Sequence, residues 1–240
     1  MTEPDTRGER LAKRVAALRG CSRAEAERLV EGGWVQVDGV VVEDPAHRVQ
    51  DQTVQVDPQA RPDLLLPVTL LWHKPAGLDL AEGQPVDGLL QAGPPLRRWH
   101  LRQLRGVAAL PPACSGLAVF GQEPRVLRRL LEDAALLEQE WMLDVAGHCD
   151  DERLRALESQ AERLSLGQAR PSLRLSRSSA KDGRTRLRLA MKAGNAAALP
   201  GWLASAGLEA LLLQRMRLGR VALGPLASGE WRLLGAHERF

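Results

Sequence analysis

Apolar positions at helical spacing open the chain. Leu11, Val15 and Leu18 fall on one side of a helix predicted over 10–18, with Arg10, Lys13 and Arg14 on its other faces. Gly20 is placed to stop that helix, because glycine reaches the left-handed backbone that closes a helix C-terminus. Ser22-Arg23-Ala24-Glu25 has capping-box spacing: the serine oxygen accepts from a free backbone N–H and the glutamate returns the bond. A second helix is expected to about Glu31, ending at Gly32-Gly33. The pattern then turns from helical to alternating in Trp34-Val35-Gln36-Val37, Asp38-Gly39 and Val40-Val41-Val42. Asp-Gly between β-branched runs predicts a two-residue hairpin.

Further along, Val68 to Trp72 reads as a buried strand running into His73-Lys74-Pro75-Ala76-Gly77. Ser115 to Phe120 reads as another. Pro124 opens a helix with Val126, Leu127, Leu130 and Leu131 on one face. Glu140 to Val145 is a strand, and Asp150-Asp151 begins a helix. Asp182-Gly183 joins two alternating runs, 172–179 and 184–191, while 208–218 and 231–234 close a strand-rich end. The composition breaks at Arg61-Pro62 to Pro67. The expected organisation is α+β: a small αα-β domain over 8–55, a linker over 56–67, and a larger, mainly antiparallel sheet domain over 68–240.

Composition removes several classes. No stretch approaches 18 uncharged apolar residues, so no membrane partner is expected. Met1-Thr2-Glu3-Pro4-Asp5 is polar and acidic, unlike a secretory leader. Cys21, Cys114 and Cys149 are odd in number and far apart, which argues against a disulfide scaffold and suits a reducing cytoplasm. His148-Cys149 is a tight pair without two further ligands, so no metal is expected. The formal net charge is only +3, but it is unevenly spread. Residues 1–60 and 61–160 each carry a net −3, and residues 161–240 a net +9. Within the first segment, residues 10–28 hold six basic and two acidic side chains. Two separated basic surfaces suit a polyanion, and equally suit solvated helix or strand faces.

Helix, turn, capped helix, Gly-Gly and a V-Q-V-D-G-V hairpin together resemble the small RNA-binding domain named after a ribosomal small-subunit protein, the S-four-like domain. The resemblance covers about 8–53. It implies that Arg10, Lys13, Arg14, Arg19, Arg23 and Arg28 lie against RNA phosphates, which position a nucleic acid without reading its sequence.

Such a domain followed by a strand and (N/H)-K-P-x-G resembles the bacterial RNA pseudouridine synthases of the RsuA/RluB/RluF type. His73-Lys74-Pro75-Ala76-Gly77 matches, with Lys74 an expected RNA contact. So does the closing motif from Arg215 through Gly219, Leu223, Leu226, Gly229 and Arg232 to Leu234. The resemblance implies a fold, a structured rRNA or tRNA as partner, and a reaction needing no cofactor or metal. An aspartate in R-L-D carries that reaction. Aligning Ser115-Gly116-Leu117 places Pro111 in the aspartate position, Ala109 in the arginine position and Cys114 in that of a threonine. No Asp or Glu occurs from Leu101 to Gln122. Gln139 and Trp141 take the places of the lysine and pocket tyrosine of K-x-Y. Ala193 to Trp202 lacks the acid, amide and arginines of the family's E-G-x-x-x-Q-V-R-R-M helix, and Pro200-Gly201 is expected to break or restart it.

The expectation is therefore an RNA-binding homologue of rRNA and tRNA pseudouridine synthases, an isomerase family, with no intact catalytic residue: a pseudoenzyme. One alternative is an active divergent synthase using Asp79 or Glu123. Cys114 as a replacement thiol nucleophile is a further option. Another is a protein-interaction module without RNA affinity.

Overall fold

The computed structural model describes residues 8–61, 65–81, 83, 90, 97–108, 110–133, 136–165 and 171–240. Met1 to Asp5, residues 62–64 of the expected linker, and Ala109 lie outside the described residues. The chain divides into two compact units, Met1–Pro67 with Pro95–Arg102, and Val68–Pro94 with Gln103–Phe240.

In the first unit, β1 (Glu9–Arg10) leads into α1 (Leu11–Arg19), and α2 (Arg23–Glu31) follows. The Ser22/Glu25 capping box forms: Glu25 N–H donates to Ser22 Oγ at 3.3 Å and Ser22 N–H to Glu25 Oε2 at 2.9 Å. β2 (Val35–Val37) and β3 (Val40–Val41) form the expected hairpin, with Asp38 and Gly39 at φ 49° and 78°. Positive φ at both central residues matches strand twist, which is why Asp-Gly serves here. β4 (Arg48–Val49) pairs with β1, and β5 (Val54–Val56) with β2. Leu11, Val15, Ala26, Leu29, Val30, Val35 and Val49 fill the core. Leu18 does not join it and is 56% exposed; α1 ends one residue later at Arg19, capped by Gly20 in the left-handed conformation.

One element of this unit is unexpected. α3 (Arg98–Leu101) belongs with the N-terminal unit rather than with the 68–240 domain. Ion pairs explain it: Arg97 with Glu43 at 2.9 Å, Arg98 with Asp44 at 3.2 Å and Arg102 with Glu31 at 3.0 Å.

The second unit is built on β6 (Thr69–Lys74), β7 (Arg105–Val107), β8 (Ser115–Gly121), α4 (Pro124–Glu132), β9 (Gln139–Ala146) and α5 (Asp151–Ser159). Then come β10 (Ser172–Lys181), β11 (Arg184–Lys192), α6 (Leu199–Ala204), β12 (Ala210–Leu218), β13 (Val221–Ala222) and β14 (Trp231–Leu233). Among the described residues nine strands form one sheet in the order β10-β11-β9-β12-β8-β6-β14, with β13 on β12 and β7 on β8. Among the described residues β8 and β12 are its parallel pair, and the rest run antiparallel. β8 is buried along its whole length, as its unbroken small and apolar sequence requires. α4 buries Leu130 against Leu71, Val107 and Val119, while Leu131, expected on the same face, is 43% exposed. Pro200 sits in the first turn of α6, where its missing N–H costs nothing, so the helix restarts there.

Candidate functional site

The matched motif positions converge on one register row across five strands. Lys74 on β6 pairs with Gly116 on β8, and Gly116 with Arg215 on β12. Arg215 pairs with Trp141 on β9, and Trp141 with Leu189 on β11. Directly opposed residues share a sheet face, so Lys74, Arg215, Trp141 and Leu189 stand side by side. Gly116 makes the row possible. A Cβ there would lie 2.3 Å from the Arg215 carbonyl oxygen.

The row is closed to solvent. Lys74 and Trp141 are fully buried and Arg215 is 1% exposed. The Arg215 guanidinium donates through Nε to the Leu117 carbonyl and through Nη2 to the Ala108 carbonyl, both at 2.8 Å, and reaches Gln139 Oε1 at 3.5 Å. Lys74 Nζ donates to the Pro75 carbonyl at 2.9 Å and to that of Leu78. Among the described residues neither cation is bonded to a carboxylate. Lys74, an expected RNA contact, is buried, with its ammonium bonded to carbonyls of its own loop. Trp141 is not free to stack on a base. Its ring lies under Arg215, and its indole N–H has no partner among the described residues.

Pro111 sits on the turn between Leu110, which bridges Leu80, and Cys114, whose N–H donates to the Pro111 carbonyl at 2.9 Å. Gly77 N–H donates to the Pro112 carbonyl at 2.8 Å, tying the His73–Gly77 loop to this turn. Burial pushes the Cys114 thiol up to about 11, despite the nearby Arg215 and Lys74. A thiol held in that range is protonated at neutral pH and is a poor nucleophile. Burial pulls Lys74 down to about 8, against the opposing influence of Cys114 and Asp79. Asp79 is exposed one residue before Leu80. Glu123 precedes α4, past the end of β8 opposite to Cys114. Among the described residues no group of three His, Cys, Asp or Glu side chains comes together to hold a metal.

Three arginines of the basic last third are paired with acids on the sheet. Arg186 makes a two-pronged pair with Asp144 at 2.7 and 2.8 Å. Arg188 meets Glu140 at 2.7 Å, and Arg217 meets Glu138 at 2.7 Å and Glu140 at 3.0 Å. The Arg186 guanidinium holds the Asp144 carboxyl below the usual carboxylate range.

In the N-terminal unit, Arg10, Lys13 and Arg23 line one groove of about 790 Å³. Arg48 and Arg98 line it too, and sequence reasoning missed both. The remaining expected contacts lie away from this groove. Arg14 is held by Glu9 and by the Gln50 carbonyl, and Arg19 is exposed at the end of α1. Arg28 is half-buried, with its Nε buried and without a partner among the described residues. The run Arg97-Arg98-Trp99-His100-Leu101-Arg102 carries three arginines and no acid, and that was the available signal for Arg98.

Residues 9–54 match the S4 domain family. An uncharacterized RNA pseudouridine synthase of Aquifex aeolicus (strain VF5) is 25% identical over 225 residues, spanning 90% of this chain and 86% of the relative. The ribosomal large subunit pseudouridine synthase B of Yersinia pestis is 28% identical over 178 residues, covering 68% of this chain and 52% of its own length. Among solved structures, a pseudouridylate synthase superposes with a TM-score of 0.52 at 17% identity, covering 94% of this chain and 96% of that one. The class is therefore an N-terminal S4 domain joined to a pseudouridine-synthase fold. The chain is homologous to the RNA pseudouridine synthases.

Proposed function

We propose that this protein binds structured RNA, rRNA or tRNA in the cytoplasm, without converting uridine to pseudouridine. The observation that carries the proposal is the closed row. Pro111 stands where the resembled motif places its aspartate, and among the described residues the two cations of the row are bonded to carbonyls and an amide rather than to an acid. Proline offers no nucleophile. Trp141 and Arg215 are buried against each other in the row. Removing the nucleophile of an enzyme that acts through one costs on the order of 10⁶ in turnover.

Incubating the purified protein with rRNA and tRNA transcripts, then digesting to nucleosides for chromatography and mass spectrometry, tests this directly. The expected result is no pseudouridine from wild type or from Pro111→Asp, since the rest of the row has changed as well. Pseudouridine from wild type would overturn the proposal. The second reading, an active divergent synthase, rests on Asp79, which lies close enough to Lys74 to raise its pKa. It requires wild type to be active and Asp79→Asn to be silent.

RNA binding itself is tested by filter binding across a salt series. A phosphate-contacting protein loses affinity steeply, by about 0.7 to 0.9 log units per log unit of salt for each contact. No salt-sensitive binding would leave a protein-interaction module instead.

A further inference from the structure

The S4 domain of this chain is not basic. Residues 9–54 carry seven Lys or Arg and eight Asp or Glu. A domain meant to lie on a polyanion is left with a net negative charge. The structure contains the remedy: Arg97, Arg98 and Arg102 are laid on that domain by a segment that begins 43 residues beyond its end.

We infer that this segment completes the phosphate-binding groove of the S4 domain, with Arg98 as a phosphate ligand and Arg97 and Arg102 as its anchors. The inference rests on the RNA-binding reading above and adds a ligand from outside the S4 domain. The groove is lined by five basic side chains (Arg10, Lys13, Arg23, Arg48 and Arg98) and by four acidic ones. Without Arg98 the two signs balance; with it the groove is positive.

Anchor and ligand are distinguished by their surroundings. Glu31, the partner of Arg102, has a side chain only 12% exposed. Glu43 is engaged twice, by the Arg97 guanidinium at 2.9 Å and by the Arg98 backbone N–H at 2.7 Å. Gly33 makes room for that anchor, since a Cβ there would lie 2.6 Å from Arg97 Nη1. Arg98 and Asp44 are different: their side chains are 53% and 44% exposed. Exposed pairs of this kind hold weakly, so a phosphate can take Arg98 from Asp44. The anchors meanwhile neutralise two acids that would otherwise repel the same backbone.

The test uses the full chain, a labelled RNA stem-loop and a salt series. Arg98→Ala and Arg98→Glu are expected to weaken binding by about three- to tenfold and to make the log–log salt slope shallower by about one. Arg98→Lys should keep the slope. Asp44→Asn, which frees Arg98, should bind more tightly than wild type, a gain that a merely structural ion pair would not give. If Arg10→Glu and Lys13→Glu lose affinity while Arg98→Glu matches wild type in affinity and slope, the inference is overturned and RNA binding stands. If wild type shows no salt-dependent RNA binding, both fall.

Discussion

The Arg215 guanidinium carbon lies 5.8 Å from the ring centre of Trp141, and both side chains are buried. Cation and indole face meet across directly opposed positions of β12 and β9. A cation over an indole face is stabilised by the ring quadrupole, the more so when desolvated. The pair therefore gives Arg215 a partner in a site where the described residues supply no carboxylate. It also makes Trp141 part of the core.

That role predicts a particular mutational contrast. Trp141→Ala should destabilise the protein by about 3–5 kcal/mol, through cavity formation and loss of the cover over Arg215. Trp141→Phe should cost clearly less, about 2 kcal/mol or below. It keeps a ring face and removes an indole N–H that is buried without a partner among the described residues. Urea denaturation measures both; equal losses would show that the ring is not what Arg215 requires.

Gly116 gives a second contrast. Its φ is +101°, and an added Cβ would lie 2.3 Å from the Arg215 carbonyl oxygen and 2.7 Å from the Arg215 nitrogen. Those atoms belong to a neighbouring strand and cannot rotate away. Gly116→Ala should cost about 3 kcal/mol or more, or prevent soluble expression. Gly147 also has positive φ, +77°, but open space around it. Gly147→Ala should cost only about 1–2 kcal/mol, from backbone strain alone.

What the sequence disclosed follows the range of each signal. The Ser22 capping box and the Asp38-Gly39 hairpin were legible because all their atoms lie within a few residues. Lys74, Gly116, Trp141 and Arg215 were legible as fragments of motifs. Their meeting in one row was not, because strand register across five strands is a tertiary property. The same limit hid the burial of Trp141 and Lys74. The 97–102 segment was least legible. Its partners Glu43 and Glu31 lie 54 and 71 positions away, and a four-residue helix has no periodicity to read.

The charge of the last third bears on RNA in a way the count of +9 did not suggest. Arg186 and Arg188 are already neutralised by Asp144 and Glu140. Arg186→Gln with Arg188→Gln should leave the salt slope of RNA binding nearly unchanged, whereas Arg10→Gln should reduce it by about one. Equal reductions in filter binding would mean that the sheet face also holds phosphates.

The alkaline stability profile tests the buried row without any RNA. Lys74 is pulled down from 10.5 to about 8, and Cys114 is pushed up from 9.0 to about 11, in both cases chiefly by burial. Between pH 8 and 10.5 the unfolded chain keeps a lysine proton that the folded chain has released, so stability rises with pH. Between pH 9 and 11 the unfolded chain loses a thiol proton that the folded chain retains, so stability falls. Cys149, also pushed up by burial, adds to the fall. The chain has no tyrosine to titrate in the same range. Wild type should therefore gain stability from pH 8 to 9 and lose it above, where two thiols oppose one lysine, with each arm on the order of 1–3 kcal/mol. Lys74→Met should remove the gain and leave only the fall, whereas Cys114→Ser should flatten the fall above pH 9. Urea midpoints measured across that range would refute the burial of Lys74 as a charge-bearing group if the Lys74→Met profile kept its rise.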